Sequence, residues 1–344
     1  MVAPPAAAGP ASAPWIPLWA LTAAFWLTVL AVAGARAAGV ANNAALGTFG
    51  VIFTSIVVEA LPFILLGAIA SALIAVYVPA RAFTRIGRLP RWLQVPAAAA
   101  AGFAMPVCEC GSVPVARRLI TRGLAADAGI AFMLAAPILN PIVLASTWVA
   151  YGAAGKAFEM TAARAGLGLV VAVAAGALIG RRGGDSLLRE RPRLQHDHHD
   201  HGAEHDHHHD GSRASGFVEH VASDFLFMGR FLVLGAAVAA LLQTAFPQSL
   251  LSSVAGAPLV GALALMAMAV VLSLCSEADA FVAVSFTAFP LGSQLAFLVL
   301  GPVVDAKLAA LYGATFRRRF VLRLLAVAVP VALVGALLFD AVVA

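Results

Sequence analysis

A chain of 344 residues that is 62% hydrophobic and 11% charged cannot cover itself with polar surface, which excludes a water-soluble domain and points to a polytopic membrane protein. The net charge of +5 would suit nucleic acid on a soluble protein, but here it belongs to topology, since Lys and Arg collect in cytoplasmic loops. The expected surroundings are therefore the lipid bilayer, with no nucleic-acid partner.

The first apolar stretch runs from 15 to 34. Ala35-Arg36-Ala37 behind it resembles a signal-peptidase site, but no Lys or Arg precedes the stretch, so an uncleaved first span is expected. A second stretch, 49 to 78, carries Glu59 and Pro62 and leads into Arg81, Arg85, Arg88 and Arg91. Segment 92 to 107 then meets Pro106, Gly111 and Pro114. Proline lacks the amide donor and clashes with the preceding turn, so the spacing predicts a hairpin that enters the membrane, breaks at Cys108-Glu109-Cys110-Gly111 and returns. Residues 124 to 151 and 158 to 180 read as two more spans, the first interrupted at Pro137 and Pro141.

The second half repeats this plan. A span at 217 to 245 carries Asp224, a broken pair at 258 to 289 surrounds Cys275, and a span at 291 to 316 is interrupted near Pro302. The last span, 320 to 340, is entered through Arg317, Arg318, Arg319 and Arg323. At one constant offset and without a gap, Glu59 falls on Asp224, Cys110 on Cys275, Pro137 on Pro302 and Asn140 on Asp305. The expected fold is an all-α polytopic membrane protein of two inverted-topology repeats with broken, re-entrant helices, about seven full spans plus two re-entrant hairpins. Residues 1–48 would hold the first span, 49–180 and 216–344 the repeats, and 181–215 a cytoplasmic linker. Three crossings per repeat invert the second against the first. Arginine placement agrees: all except Arg36, Arg164 and Arg230 fall in 81–91, 117–122, 181–215 and 317–323, which this topology puts on one side.

The linker contains His196, His198, His199, His201, His205, His207, His208 and His209 interleaved with Asp and Glu. Imidazole and carboxylate suit zinc, nickel, cobalt or copper, but the spacing defines no single geometry. Weak multi-site metal association and a plain solvated linker both remain open.

The cysteines are Cys108, Cys110 and Cys275, too few for a disulfide framework. On an extended stretch residues 108 and 110 would share a face, and Cys275 could approach from the other half to complete a three-sulfur site for soft acceptors such as Cu(I), trivalent arsenic or antimony, and zinc. Buried packing is the alternative for any one cysteine. Six acids, Glu59, Glu109, Asp224, Glu277, Asp279 and Asp305, lie in or beside apolar segments, where each costs about 2.5 to 3.5 kcal/mol on insertion scales. Glu59, Asp224, Glu277 and Asp279 are the candidate proton carriers. Capping of a return helix by Glu277 and Asp279 is the alternative, as is pairing of Asp224 with Arg230 and of Asp305 with Lys307. Glu109, Asn140 and Asp305 are candidate substrate contacts, though Asn140 and Asp305 can equally satisfy freed backbone groups.

The run Pro106-Val107-Cys108-Glu109-Cys110-Gly111-Ser112-Val113-Pro114, together with Leu134 to Pro141, Cys275 to Asp279 and Leu300 to Asp305, resembles the predicted permeases that include bacterial organoarsenical efflux permeases. The likeness covers roughly 49 to 344 outside the histidine-rich linker. It implies a multi-pass permease of the bacterial cytoplasmic membrane, without enzymatic activity or cofactor, whose relatives export trivalent organoarsenicals through cysteines; on that basis Cys108, Cys110 and Cys275 become candidate substrate ligands. Serine often stands between the two cysteines in that family, where this chain has Glu109, and the added carboxylate favours a cationic metal. The reading is proton-coupled efflux of a soft metal, metalloid or trivalent organoarsenical. Transport of a thiol-reactive sulfur compound, a membrane thiol oxidoreductase and a metal sensor acting through the linker are the alternatives. No phosphate-binding Walker pattern occurs, so ATP drive would need a separate subunit. Monomer and homo-oligomer both stay open.

Overall fold

The computed structural model describes residues 44–77, 90–104, 107–180, 188, 213–245, 258–317 and 319–343. The expected first span at 15 to 34, Pro106 and the histidine-rich segment lie outside the described residues. Within them every regular element is helical: α1 (Ala44–Tyr77), α2 (Arg91–Ala101), α3 (Glu109–Thr121), α4 (Ala126–Leu139), α5 (Pro141–Gly152) and α6 (Ala157–Ala175). Then come α7 (Arg213–Ala245), α8 (Pro258–Leu272), α9 (Asp279–Ala283), α10 (Leu291–Leu300), α11 (Ala306–Thr315) and α12 (Arg319–Val343).

Among the described residues, five segments are long and apolar enough to cross a membrane: Leu46–Ile74, Ala126–Gly152, Ala157–Gly180, Gly216–Ala245 and Arg319–Val343. Helices satisfy their own backbone, which lipid requires. The stretch at 291 to 316 is instead two ten-residue helices, α10 and α11, separated by a turn over 301 to 304. Of the interruptions expected at Pro137 and Pro141, the second is found and the first is not. Helix α4 runs through Pro137, packed on α2, α3 and α6, and the chain leaves helical geometry at Asn140 (φ −51°, ψ 127°), directly before Pro141. There the Asn140 side chain accepts a hydrogen bond from the Ile142 amide (3.0 Å) and Pro141 supplies a first helical residue with no amide to satisfy.

Helix α4 packs on α2, α3 and α6, and α10 packs on α8, α9 and α12. Helices α6 and α12 meet each other, α3 packs against α11, and α9 against α5. Small residues allow the closest approaches. A Cβ on Gly235 of α7 would stand 2.6 Å from the Lys307 Cα of α11, and one on Gly176 would stand 2.6 Å from the Asp127 carbonyl. Of the α4–α5 segment's most apolar stretch 78% is buried, against 22% for that of α12, so α4–α5 lies more centrally than α12.

Candidate functional site

The site forms where three helix breaks meet. Cys108 is extended (φ −72°, ψ 174°) and caps α3, its carbonyl accepting from the amides of Gly111 (3.1 Å) and Ser112 (3.0 Å). Glu109 and Cys110 are therefore the first two residues of a helix. This corrects the expectation of an unwound Cys-Glu-Cys strand: Gly111 and Pro114 sit inside α3. Pro114 only withholds the amide that would have bonded the Cys110 carbonyl. Gly111 is needed because α1 comes so close; a Cβ there would lie 3.2 Å from both the Gly67 Cα and the Phe63 carbonyl.

In the second half α8 ends at Leu272, and Ser273 follows with φ 47°, a left-handed conformation rare outside glycine. Its hydroxyl oxygen accepts from the Ala306 amide (3.1 Å), filling one of the donors that the start of α11 leaves open. Asp305 caps the same helix, accepting from the Leu308 amide (2.6 Å).

These breaks bring all three sulfurs to one small cavity. Cys108, Cys110 and Cys275 line it with Glu109, Ser273 and Lys307, and Glu59 and Phe63 of α1 close one wall. All three cysteines are buried free thiols. Glu109, 2% exposed, accepts from the Ser276 hydroxyl (2.8 Å) and pairs with the Lys307 ammonium (2.8 Å). Lys307, 4% exposed, also donates to the Leu274 carbonyl (3.1 Å) and stands 3.6 Å from Asp305 Oδ2. The Cys275 thiol bonds the Glu277 carboxylate, and ligand atoms of Glu109, Cys275 and Glu277 all lie within 4.8 Å of one another. Chemically this is a buried set of soft thiols and hard carboxylates with the Lys307 ammonium beside it.

A family model described as a predicted permease matches residues 45–341. The chain belongs to this permease family. The UPF0718 protein YcgR of Bacillus subtilis (strain 168) is 40% identical over 288 residues, covering 83% of this chain and 95% of that protein. A Streptococcus mutans protein, named as a two-component membrane permease complex subunit, is 34% identical over 285 residues, covering 79% of this chain and 88% of that one. No solved structure matches. The protein is thus a multi-pass membrane permease, and the Streptococcus mutans relative is itself named as a subunit of a membrane permease complex.

Elsewhere in the permease the acids divide by surroundings. Asp224 lies away from the cavity wall, bonded to the Ser71 hydroxyl (2.7 Å) and the Arg118 guanidinium (3.3 Å), so it ties α7 to α1 and α3. Arg230, the partner suggested by sequence proximity, stacks over Phe227 and Phe231 at 4.6 and 4.8 Å. Asp279 does not cap α9, whose N-cap is Ala278; it pairs with Arg164 (2.7 Å). Lys307 does approach Asp305, as expected, but its shorter contact is Glu109. Asn140 and Asp305 act as helix caps, and Asp305 reaches the cavity only through Lys307.

Sequence reasoning missed Arg164, which is fully buried and donates to Thr147 Oγ1 (2.7 Å) and the Ser276 carbonyl (3.2 Å) as well as to Asp279. The signal existed. Arg164 stands alone in an apolar run outside the basic clusters, and an intramembrane charge calls for a partner. Ser276 joins the two networks, with its hydroxyl on Glu109 and its carbonyl on Arg164.

Proposed function

We propose that this permease exports a soft metal, metalloid or trivalent organoarsenical across the bacterial cytoplasmic membrane, with Cys108, Cys110 and Cys275 as substrate ligands. The observation that carries this reading is that Cys108 and Cys110 line one cavity together with Cys275, which is distant from them in sequence, and with Glu109, while Glu277 lies beside Cys275 and Glu109. Thiolates select soft acceptors, and the carboxylates extend the range toward borderline divalent ions. Proton exchange drives the cycle in this reading, with Glu59 on the cavity wall as the carrier; Asp224 and Asp279, held in ion pairs, serve better as fixed ties.

The same reading keeps two inverted repeats, 49–180 and 216–344, joined by a cytoplasmic linker, with seven spans and two re-entrant hairpins. The reciprocal packing of α3 on α11 and of α9 on α5 supports it, because those pairs exchange under the repeat offset. The test is flux into proteoliposomes of Cd2+ and of a neutral trivalent arsenical, with Cys108→Ser, Cys110→Ser and Cys275→Ser as controls. Substrate flux lost in each variant supports the reading. Flux that is indifferent to all three substitutions, or turnover through a Cys108 to Cys110 disulfide without flux, defeats it.

A further inference from the structure

We infer that Lys307 is a tethered stand-in for the transported cation: it occupies Glu109 while the site is empty, and a soft divalent cation displaces it toward Asp305. This deepens the thiol-site reading above and rests on it. The ammonium sits in an all-oxygen cradle of Glu109 Oε1 (2.8 Å), the Leu274 carbonyl (3.1 Å) and Asp305 Oδ2 (3.6 Å). Asp305 is 1% exposed and its Oδ2 stands 3.6 Å from the same ammonium, so a second buried carboxylate is already within reach of it. A small swing of a flexible four-carbon stem would exchange Glu109 for Asp305.

Glu109 belongs to two sets at once. One is the Lys307 cradle; the other is the group with Cys275 and Glu277, whose ligand atoms lie within 4.8 Å of one another. Metal–sulfur bonds of about 2.3 Å and metal–oxygen bonds of about 2.0 to 2.2 Å let one ion reach such atoms with small adjustment. Cys108 and Cys110 border the same cavity, and the Glu277 Oε1 atom has no hydrogen-bond partner among the described residues. A divalent ion on Glu109 would repel the adjacent ammonium and draw on the same carboxylate charge, so metal binding weakens the Lys307 pair and favours its move to Asp305. The mixed sulfur and oxygen set then favours a divalent ion such as Cd2+ or Zn2+ over a neutral arsenical, which has no use for a carboxylate.

The experiment is calorimetric titration of the purified full chain in detergent with Cd2+ alone, and separately with a neutral trivalent arsenical. Removing the competitor raises the binding-competent fraction, so Lys307→Met is expected to bind Cd2+ roughly tenfold or more tightly than the native chain. Lys307→Arg, which keeps the charge, should gain nothing, and Glu109→Gln should weaken Cd2+ by a similar factor. Arsenical affinity should be unmoved by Lys307→Met. If the Met variant does not fold, Lys307→Gln retains a neutral donor to Glu109 and is measured in its place. Cd2+ affinity that is unchanged or weaker on losing the ammonium overturns the inference. Cysteine-dependent arsenical binding with no Cd2+ binding overturns it while sparing the thiol site, whereas failure of both ligands to bind the native chain removes the thiol site itself.

Discussion

Among the described residues, two ion pairs with both partners buried cross between the halves of this permease, and they differ in what lies beside them. Arg164 and Asp279 are sealed: the guanidinium is fully buried and donates to Thr147 of α5, the Ser276 carbonyl and Asp279 of α9. Glu109 and Lys307 face a cavity, next to three thiols and a second acid. A pair outside the cavity lining holds helices in register, whereas a pair on a cavity wall can be opened by a ligand that replaces one partner. The shared residue Ser276 means that the sealed pair sets the position of the exchangeable one.

The sharpest way to break this contrast is Arg164→Leu. Leaving Asp279 buried without its partner should cost about 3 to 5 kcal/mol, seen as a large fall in melting temperature in detergent. Arg164→Leu with Asp279→Leu should recover most of it. If the single variant melts like the native chain, the sealed pair is not structural. Next in size, Cys275→Ser should reduce Cd2+ or arsenical flux roughly tenfold or more, equivalent to losing about 1.4 kcal/mol of ligand binding, with little change in melting temperature. An equal loss of stability would place Cys275 in packing instead.

Smaller again is Ser71→Ala, which removes one hydrogen bond from Asp224 and leaves Arg118 in place. About 2 kcal/mol of stability should go, with flux per folded molecule retained. Smallest is deletion of 196 to 210, for which export at the native rate is expected in vesicles; complete loss of transport would move function into the histidine segment.

How much of this was legible in the sequence follows from the range of the interactions. Apolar runs, helix breakers and lone charges are local, so the all-helical membrane character and the breaks near 108, 140, 273 and 301 could be read directly. Not every expected break is found: Pro137 stays helical in α4, packed on α2, α3 and α6, and Cys110 is helical because the Cys108 carbonyl nucleates α3. Pairings were harder. Sequence neighbours suggested Lys307 for Asp305, a pair the structure shows, but not the shorter contact of Lys307 with Glu109 or the bonds of Asp224 to Arg118 and Ser71. Those partners come from other helices, and only tertiary packing decides which side chains meet. The apolar run 157 to 180 showed a single arginine without showing what it would hold.

Thiols from both halves line one cavity. The most direct measurement uses a Cys108→Ser chain carrying a protease site in the 196 to 210 linker, treated with dibromobimane, a short thiol-bridging fluorophore, and then cleaved. Bridging of Cys110 to Cys275 should leave a single fluorescent band at full-chain mass, lost in Cys275→Ser. Two separate fragments with no bridged band would contradict the account.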